Sequence, residues 1–278
     1  MEGTQVAPPA AKVGNLAQRV LSAVIAIPIL VIVIWFGEPW FSVVVVVVAV
    51  IAALEFYTLA DQTDATPLVT VGLLGTIGTI LLVSLRGPIS IPLAVFGLVS
   101  LVSLPLVYLL VRRYPFRSWL WTWGAVWYIG ACMAFIVLTR QLDKGREWVL
   151  LTMLTVFAAD TGAYVVGRAM GRRKLWPQVS PGKTWEGALG GLAWAIVVSL
   201  VLYLLLDLPG PATHAIALGA IAGVLGPVGD LWESYLKRKA GVKDTGNLIP
   251  GHGGMLDRLD SIVLTFVAVY YYISVMIL

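Results

Sequence analysis

Long apolar stretches separated by short polar segments follow one another along almost the whole chain. A spanning helix needs roughly 20 mostly apolar residues, because only a helix or a closed barrel satisfies its own backbone hydrogen bonds in lipid. By this criterion the sequence predicts about nine transmembrane helices, at residues 20–36, 40–55, 67–85, 89–111, 118–139, 148–167, 187–206, 212–229 and 261–278. The predicted fold is therefore all-α, that of a polytopic integral membrane protein.

Two polar segments, 168–187 and 230–260, are too long to be simple connections between spans. The chain is predicted to consist of an N-terminal segment (1–19), a first group of about five spans (20–147) and a second membrane region (148–278) that contains both polar segments and is the candidate for any catalytic site. We find no internal repeat and no soluble domain. The apolar stretch after Arg19 lacks a small-residue cleavage site, which favours an uncleaved first span over a signal peptide.

Composition and charge agree with a membrane protein. The chain is 59% hydrophobic and 12% charged, with a mean hydropathy of +0.90, which excludes an ordinary soluble domain. If the N-terminus is cytoplasmic, 15 of the 19 Lys and Arg residues lie on that side, and only Arg86, Arg140, Lys144 and Arg146 on the other. The positive-inside rule therefore predicts an inner cell membrane protein whose polar segments face the cytoplasm, and its +4 charge needs no nucleic acid partner.

One carboxylate, Asp160, lies inside the sixth predicted span. An ionised carboxylate there costs at least a few kcal/mol unless it faces water or a cation. Tyr164 and Gly167 follow at helical spacing and continue a polar stripe towards the helix end. The alternative is a structural carboxylate hydrogen-bonded to a neighbouring span.

The first polar segment is basic and ends at Ser180, Lys183 and Thr184, just before the seventh span. Exposed N–H groups and the dipole at a helix N-terminus favour an anion such as phosphate, which these side chains could also bind. Much of the basic run is equally explained by the positive-inside rule and by contact with anionic lipid headgroups.

The second polar segment begins on a helix. Glu233, Ser234 and Lys237 follow Asp230 at spacings that return to the same face, while Trp232 and its apolar neighbours occupy the opposite side. This pattern is also that of an amphipathic helix at the membrane surface.

A glycine-rich stretch then leads to Asp257 and Asp260, three residues apart at the start of the last helix and sharing a face, with Arg258 turned away. Two carboxylates there would repel each other, so a divalent cation is indicated, with Mg²⁺ favoured by its preference for oxygen ligands. The alternative is helix capping by Asp257 together with a salt bridge from Asp260 to Arg258 or Lys243.

This segment resembles the signature of the phosphatidate cytidylyltransferases, or CDP-diacylglycerol synthases. The matching residues are Ser234-x-Leu236-Lys237-Arg238-x4-Lys243-Asp244-x-Gly246-x2-Ile249-Pro250-x-His252-Gly253-Gly254-Met255-x-Asp257-Arg258-Leu259-Asp260. Upstream, Ser180-Pro181-x-Lys183-Thr184-x-Glu186-Gly187 is also similar to the family. Gly182 departs from the pattern, because the family more often has lysine there, and this puts one phosphate contact in doubt.

The resemblance implies transfer of a cytidylyl group from CTP to phosphatidic acid, with pyrophosphate released and Mg²⁺ as cofactor; it also allows a second cation such as K⁺ and a homodimer. By resemblance, the metal is bound by Asp230 and Asp257. The implied catalytic residues are Asp230, Lys237, Lys243, Asp257 and Arg258. The implied substrate-binding residues are Asp160, Ser180, Lys183, Thr184, Ser234, Arg238, Asp244, His252 and Asp260, although His252 fits a structural turn as well.

Two other functions stay open. A CTP-dependent polyprenol or phytol kinase also places acidic and basic residues at the ends of spans. An ion-coupled transporter would explain Asp160, but it predicts a midplane charge in both halves, and the first five spans contain none beyond Glu55, near the end of the second.

Overall fold

The fold is taken from a computed structural model that describes residues 28–111, 113–246 and 253–278. The predicted N-terminal segment 1–19, the start of the first span and His252 lie outside these residues. Helix α1 is described over residues 28–36. The elements after it are α2 (Trp40–Asp61), α3 (Val69–Ser84), α4 (Ser90–Leu110), α5 (Pro115–Gly124), a π-helical segment (Ala125–Ala131), α6 (Cys132–Gln141), α7 (Gly145–Met170), β1 (Lys174–Trp176), β2 (Ser180–Thr184), α8 (Trp185–Leu205), α9 (Thr213–Lys239) and α10 (Leu256–Met276).

The predicted helical membrane fold is confirmed. Seven helices within the described residues are long and apolar enough to cross a bilayer, counting α5, the π-helical segment and α6 as one continuous helix, Pro115–Gln141. The third predicted span, 67–85, is shorter than expected, because α3 has 16 residues. The eighth is longer, because α9 continues from the apolar stretch through Asp230 to Lys239 without a break.

The prediction of an all-α chain omitted a β-hairpin. Strands β1 and β2 pair antiparallel, with Lys174 opposite Thr184 and Trp176 opposite Ser180. These strands have three and five residues and are mostly exposed, so they carry no apolar alternation that a sequence pattern would reveal. The hairpin delivers Thr184 to the start of α8, where its hydroxyl accepts a hydrogen bond from Gly187 N at 3.1 Å.

The four helices from α7 to α10 pack in sequence, α7 on α8, α8 on α9 and α9 on α10. Small residues make this packing close. A Cβ on Gly219 or Gly223 of α9 would lie 2.6 Å from Ile196 Cα or 2.8 Å from Leu192 Cα of α8. A buried cluster around Trp148, which includes Tyr203 and Leu218, fills the end of this group away from the polar segments.

The closest approach of α9 to α10 is at Gly229, which lies directly against the backbone carbonyl of Asp260. We expect Gly229→Val to force the helices apart and to lower the free energy of unfolding by about 1–3 kcal/mol. Thermal unfolding of the purified protein in detergent measures this effect. Gly182→Ala is the matched control, because nothing lies within 4 Å of a Cβ on Gly182. Equal unfolding temperatures for the two variants would contradict the prediction.

Candidate active site

A cavity of about 720 Å³ lies where the β-hairpin meets α7, α9 and α10. Both polar segments predicted to carry chemistry contribute to its walls. Nine of the predicted site residues line it: Asp160, Lys183, Thr184, Asp230, Lys237, Asp244, Asp257, Arg258 and Asp260. The structure therefore brings together side chains that are up to 100 positions apart in the sequence.

The first ion pair in the cavity joins the hairpin to α9. Lys183 Nζ, on β2, lies 2.6 Å from Asp230 Oδ2 and 3.4 Å from the carbonyl oxygen of Pro227. Ser234, one helical turn after Asp230, donates its hydroxyl to Asp230 Oδ1 at 3.2 Å. Each oxygen of Asp230 thus has one partner, and the lysine closes the gap between the two predicted polar segments.

The second ion pair joins α9 to α10. Lys237 Nζ lies 2.6 Å from Asp257 Oδ1 and 3.0 Å from Glu233 Oε1, so one ammonium group serves two carboxylates. The side chain of Glu233 is 0% exposed and that of Lys237 is 10% exposed. Because an isolated charge at such a depth is costly, the three groups depend on one another.

The other oxygen of Asp257 holds the start of α10. Asp257 Oδ2 accepts hydrogen bonds from Gly254 N at 2.8 Å, from Thr245 N at 3.1 Å and from Thr245 Oγ1 at 3.0 Å. Thr245 and Gly254 both precede α10, so these bonds fix the chain that leads into the helix and do not support the helix-capping alternative. Asp257 lies in a neutralised and fully hydrogen-bonded environment rather than facing bare solvent.

Asp160 and Asp260 also line the cavity, and their carboxylates repel each other and Asp230. Asp260 Oδ1 accepts hydrogen bonds from Ser261 N at 2.6 Å and Ser261 Oγ at 3.2 Å. The Ser261 hydroxyl also interacts with Asp160. This interaction links α7 to α10 across the cavity. The expectation that Arg258 turns away from the aspartates is wrong, because its long side chain reaches the same cavity.

Four predicted residues lie outside the cavity wall. Ser180 pairs with Trp176 in the hairpin, and Ser234 reaches Asp230 from behind. Arg238 donates to the backbone carbonyls of Val179 at 3.3 Å and Val242 at 3.1 Å, which ties α9 to the hairpin. Lys243 is exposed on the loop after α9.

The cavity offers oxygen donors of the kind that Mg²⁺ takes. Asp230 faces Asp160 and Asp260, and this concentration of repelling carboxylates fits a cation. Both oxygens of Asp257 have partners in this structure, so a cation there would have to displace Lys237 from Asp257 Oδ1 and leave this lysine paired with Glu233. Over the described part of the chain, no three His, Cys, Asp or Glu residues are already arranged as metal ligands.

Sequence reasoning did not assign Glu55 to the site. This residue of α2 is 9% exposed, and its carboxylate accepts hydrogen bonds from Met255 N at 2.9 Å and Leu256 N at 2.8 Å, at the start of α10. Its signal in the sequence is a lone acidic residue inside an apolar span, noted above only for its distance from the midplane. Such a residue indicates a buried polar partner without identifying it.

Comparisons with known proteins agree with the geometry. A family model described as "Cytidylyltransferase family" matches residues 17–276. The chain is 40% identical to the phosphatidate cytidylyltransferase of Bacillus subtilis over 148 residues, which are 53% of this chain and 55% of that protein. It is 39% identical to the phosphatidate cytidylyltransferases of Staphylococcus saprophyticus over 162 residues and Staphylococcus epidermidis over 167 residues.

The alignments to the Staphylococcus saprophyticus and Staphylococcus epidermidis proteins cover 58% and 59% of this chain, respectively. They cover 62% and 64% of the two staphylococcal proteins, so the chain spans less than two thirds of the length of the relatives it matches. The family resemblance drawn from the signature residues is confirmed by the match to the family model.

Proposed function

Because the chain belongs to the cytidylyltransferase family, we propose that it transfers a cytidylyl group from CTP to phosphatidic acid and releases pyrophosphate. The observation that supports this best is the cavity in which Lys183 and Lys237 are held by Asp230 and Asp257. Fixed cations in a polar cavity suit a reaction whose two substrates are both polyanions.

In the proposed reaction, an oxygen of the phosphatidate phosphate attacks the α-phosphorus of CTP. A new P–O bond forms in line with the bond from the α-phosphorus to its leaving oxygen, which breaks as pyrophosphate departs. The attacking oxygen is already anionic near neutral pH, so no strong general base is needed. Positioning and charge neutralisation supply most of the acceleration.

The side chains divide this work by position. Lys183, Lys237 and Arg258 line the cavity and neutralise the triphosphate and the lipid phosphate, while Thr184 donates a hydrogen bond from the start of α8. Asp244 and Asp260 complete the polar wall, and Asp160 orients the cations around it. Ser180, Ser234, Arg238 and Lys243 support the site from outside the cavity wall. His252, which is outside the described residues, is a candidate for contact with phosphate.

We propose that Asp230 and Asp257 hold Mg²⁺, with Asp160 and Asp260 near enough to admit a second cation such as K⁺. When bound, the metal would supply positive charge to the nucleotide phosphates. Without a bound metal, Lys237 stabilises the site, because this lysine neutralises Asp257 and Glu233 together.

The proposed setting is the inner leaflet of the cell membrane. The acyl chains of the lipid stay in the bilayer while its phosphate enters the cavity from the cytoplasmic side, the side that the positive-inside rule assigns to both polar segments. A homodimer is compatible with this arrangement, since the apolar surface of α4 is largely exposed in a single chain.

CTP labelled separately at the α- and γ-phosphate tests the reaction. Purified protein with phosphatidic acid and Mg²⁺ should move α-label into a chloroform-soluble product and release γ-label as pyrophosphate. A metal chelator should stop the transfer. Entry of γ-label alone into lipid would instead identify a CTP-dependent lipid kinase, and the absence of both labels from lipid would exclude either enzyme.

A further inference from the structure

A buried carboxylate from the first half of the chain binds the backbone next to Asp257. Glu55 Oε1 accepts from Met255 N at 2.9 Å, and Glu55 Oε2 accepts from Leu256 N at 2.8 Å. These N–H groups are at the start of α10, where a helix has no internal acceptors for them. Glu55 therefore caps α10 from a different helix, α2.

The same carboxylate also contacts Thr245, which precedes the glycine-rich stretch. Thr245 Oγ1 lies 3.2 Å from Glu55 Oε2 and 3.0 Å from Asp257 Oδ2. A hydroxyl has one proton, so it can donate fully to only one of the two carboxylates at a time. Thr245 thus couples Glu55 directly to Asp257.

Two glycines allow the backbone to approach Glu55 this closely. A Cβ on Gly246 would lie 2.9 Å from Glu55 Oε1, and a Cβ on Gly254 would overlap Glu55 Oε2. The chain before and after residues 247–252 therefore approaches one carboxylate, at distances that a larger residue would prevent. This requirement explains two of the glycines in the glycine-rich stretch.

We propose that Glu55 is a positioning residue for the reaction. It binds Thr245 and the start of α10, and through them it holds the Asp257 carboxylate in place beside Lys237. This role rests on the proposed function, because it matters for turnover only if Asp257 does. It assigns a part in the site to the first group of spans, in which Thr58 of α2 also donates to the carbonyl oxygen of Thr245 at 3.5 Å.

The test compares Glu55→Gln with Glu147→Gln, a matched change at a half-buried glutamate paired with Arg146 at the first turn of α7. The amide keeps the shape of Glu55 but replaces one acceptor oxygen with a donor. We expect Glu55→Gln to lower kcat by about tenfold to a hundredfold, with KM for CTP changed less than about threefold. Glu147→Gln should leave both constants unchanged.

A second readout does not depend on activity. Limited trypsin digestion followed by mass spectrometry reports cleavage after Lys243, which is exposed and lies two residues before Thr245. Cleavage there should be faster in Glu55→Gln than in the wild type, while cleavage after Lys174 in the hairpin should be unchanged. If the wild type makes no CDP-lipid, the proposed function fails. This comparison of cleavage rates still decides whether Glu55 holds Thr245 and the start of α10 in place.

Thr245→Val gives an independent measure, because it removes only the shared hydroxyl. It should also lower kcat, and the double variant with Glu55→Gln should be less impaired than the product of the two single effects. Should Glu55→Gln fail to fold, Thr245→Val alone decides the matter. Normal kcat in Thr245→Val, or wild-type kcat and cleavage in folded Glu55→Gln, would overturn the proposal.

Discussion

Asp257→Asn should reduce CDP-lipid formation by at least about a hundredfold while the yield of folded protein in detergent stays near that of the wild type. The substitution removes the negative charge that Lys237 contacts at 2.6 Å, and with it the proposed metal ligand. Folding should survive because Lys237 keeps Glu233 as a partner at 3.0 Å. The asparagine oxygen can still accept a hydrogen bond from Gly254 N.

The measurement is the initial rate with saturating CTP and Mg²⁺, together with size-exclusion chromatography of each variant. Asp207→Asn is the control, because this fully exposed carboxylate pairs with Lys144 away from the cavity. Retention of more than about a tenth of wild-type turnover by a monodisperse Asp257→Asn protein would remove Asp257 from the proposed mechanism.

Lys237→Met should have the largest effect on stability. It leaves Glu233, with a side chain that is 0% exposed, and Asp257, with one that is 7% exposed, without their shared ammonium group. Removing one partner of a buried ion pair costs about 3–5 kcal/mol, because the remaining charge stays desolvated. We expect a clearly lower unfolding temperature in detergent and no measurable turnover.

Lys239→Met separates this effect from a general loss of positive charge on α9. Lys239 lies two residues further along the helix, exposed, with its Nζ 5.7 Å from the centre of the Tyr235 ring. Its removal should change the unfolding temperature little. A Lys237→Met protein as stable as Lys239→Met would mean that Glu233 and Asp257 do not depend on Lys237.

Hydropathy predicted the membrane helices because lipid imposes a length and an apolar composition on each one. Helical spacing also predicted that Glu233, Ser234 and Lys237 share a face with Asp230, and three of these four are buried. It could not predict the π-helical segment Ala125–Ala131, since its residues are as apolar as those of the α-helices beside it. The short exposed hairpin likewise left no periodic signal.

The composition of the site was predictable from the sequence, but its pairing was not. Spacing along one helix places Asp257 near Asp260, whereas the lysines that neutralise Asp230 and Asp257 come from β2 and α9. Glu55 is 200 and 201 residues from its partners Met255 and Leu256. Such contacts depend on how the helices pack, and a single sequence does not contain that arrangement in any local pattern.

Helix α9 has 27 residues, which at 1.5 Å per residue make a rod of about 40 Å. The hydrocarbon layer is only about 30 Å thick, so roughly the last two turns must project past the acyl tails. Glu233, Ser234 and Lys237 lie in that overhang, and Asp230 lies about one turn before it. The length of this one helix therefore places these candidate site residues near the depth of the lipid phosphate groups, where the proposed lipid substrate could meet them without leaving its monolayer.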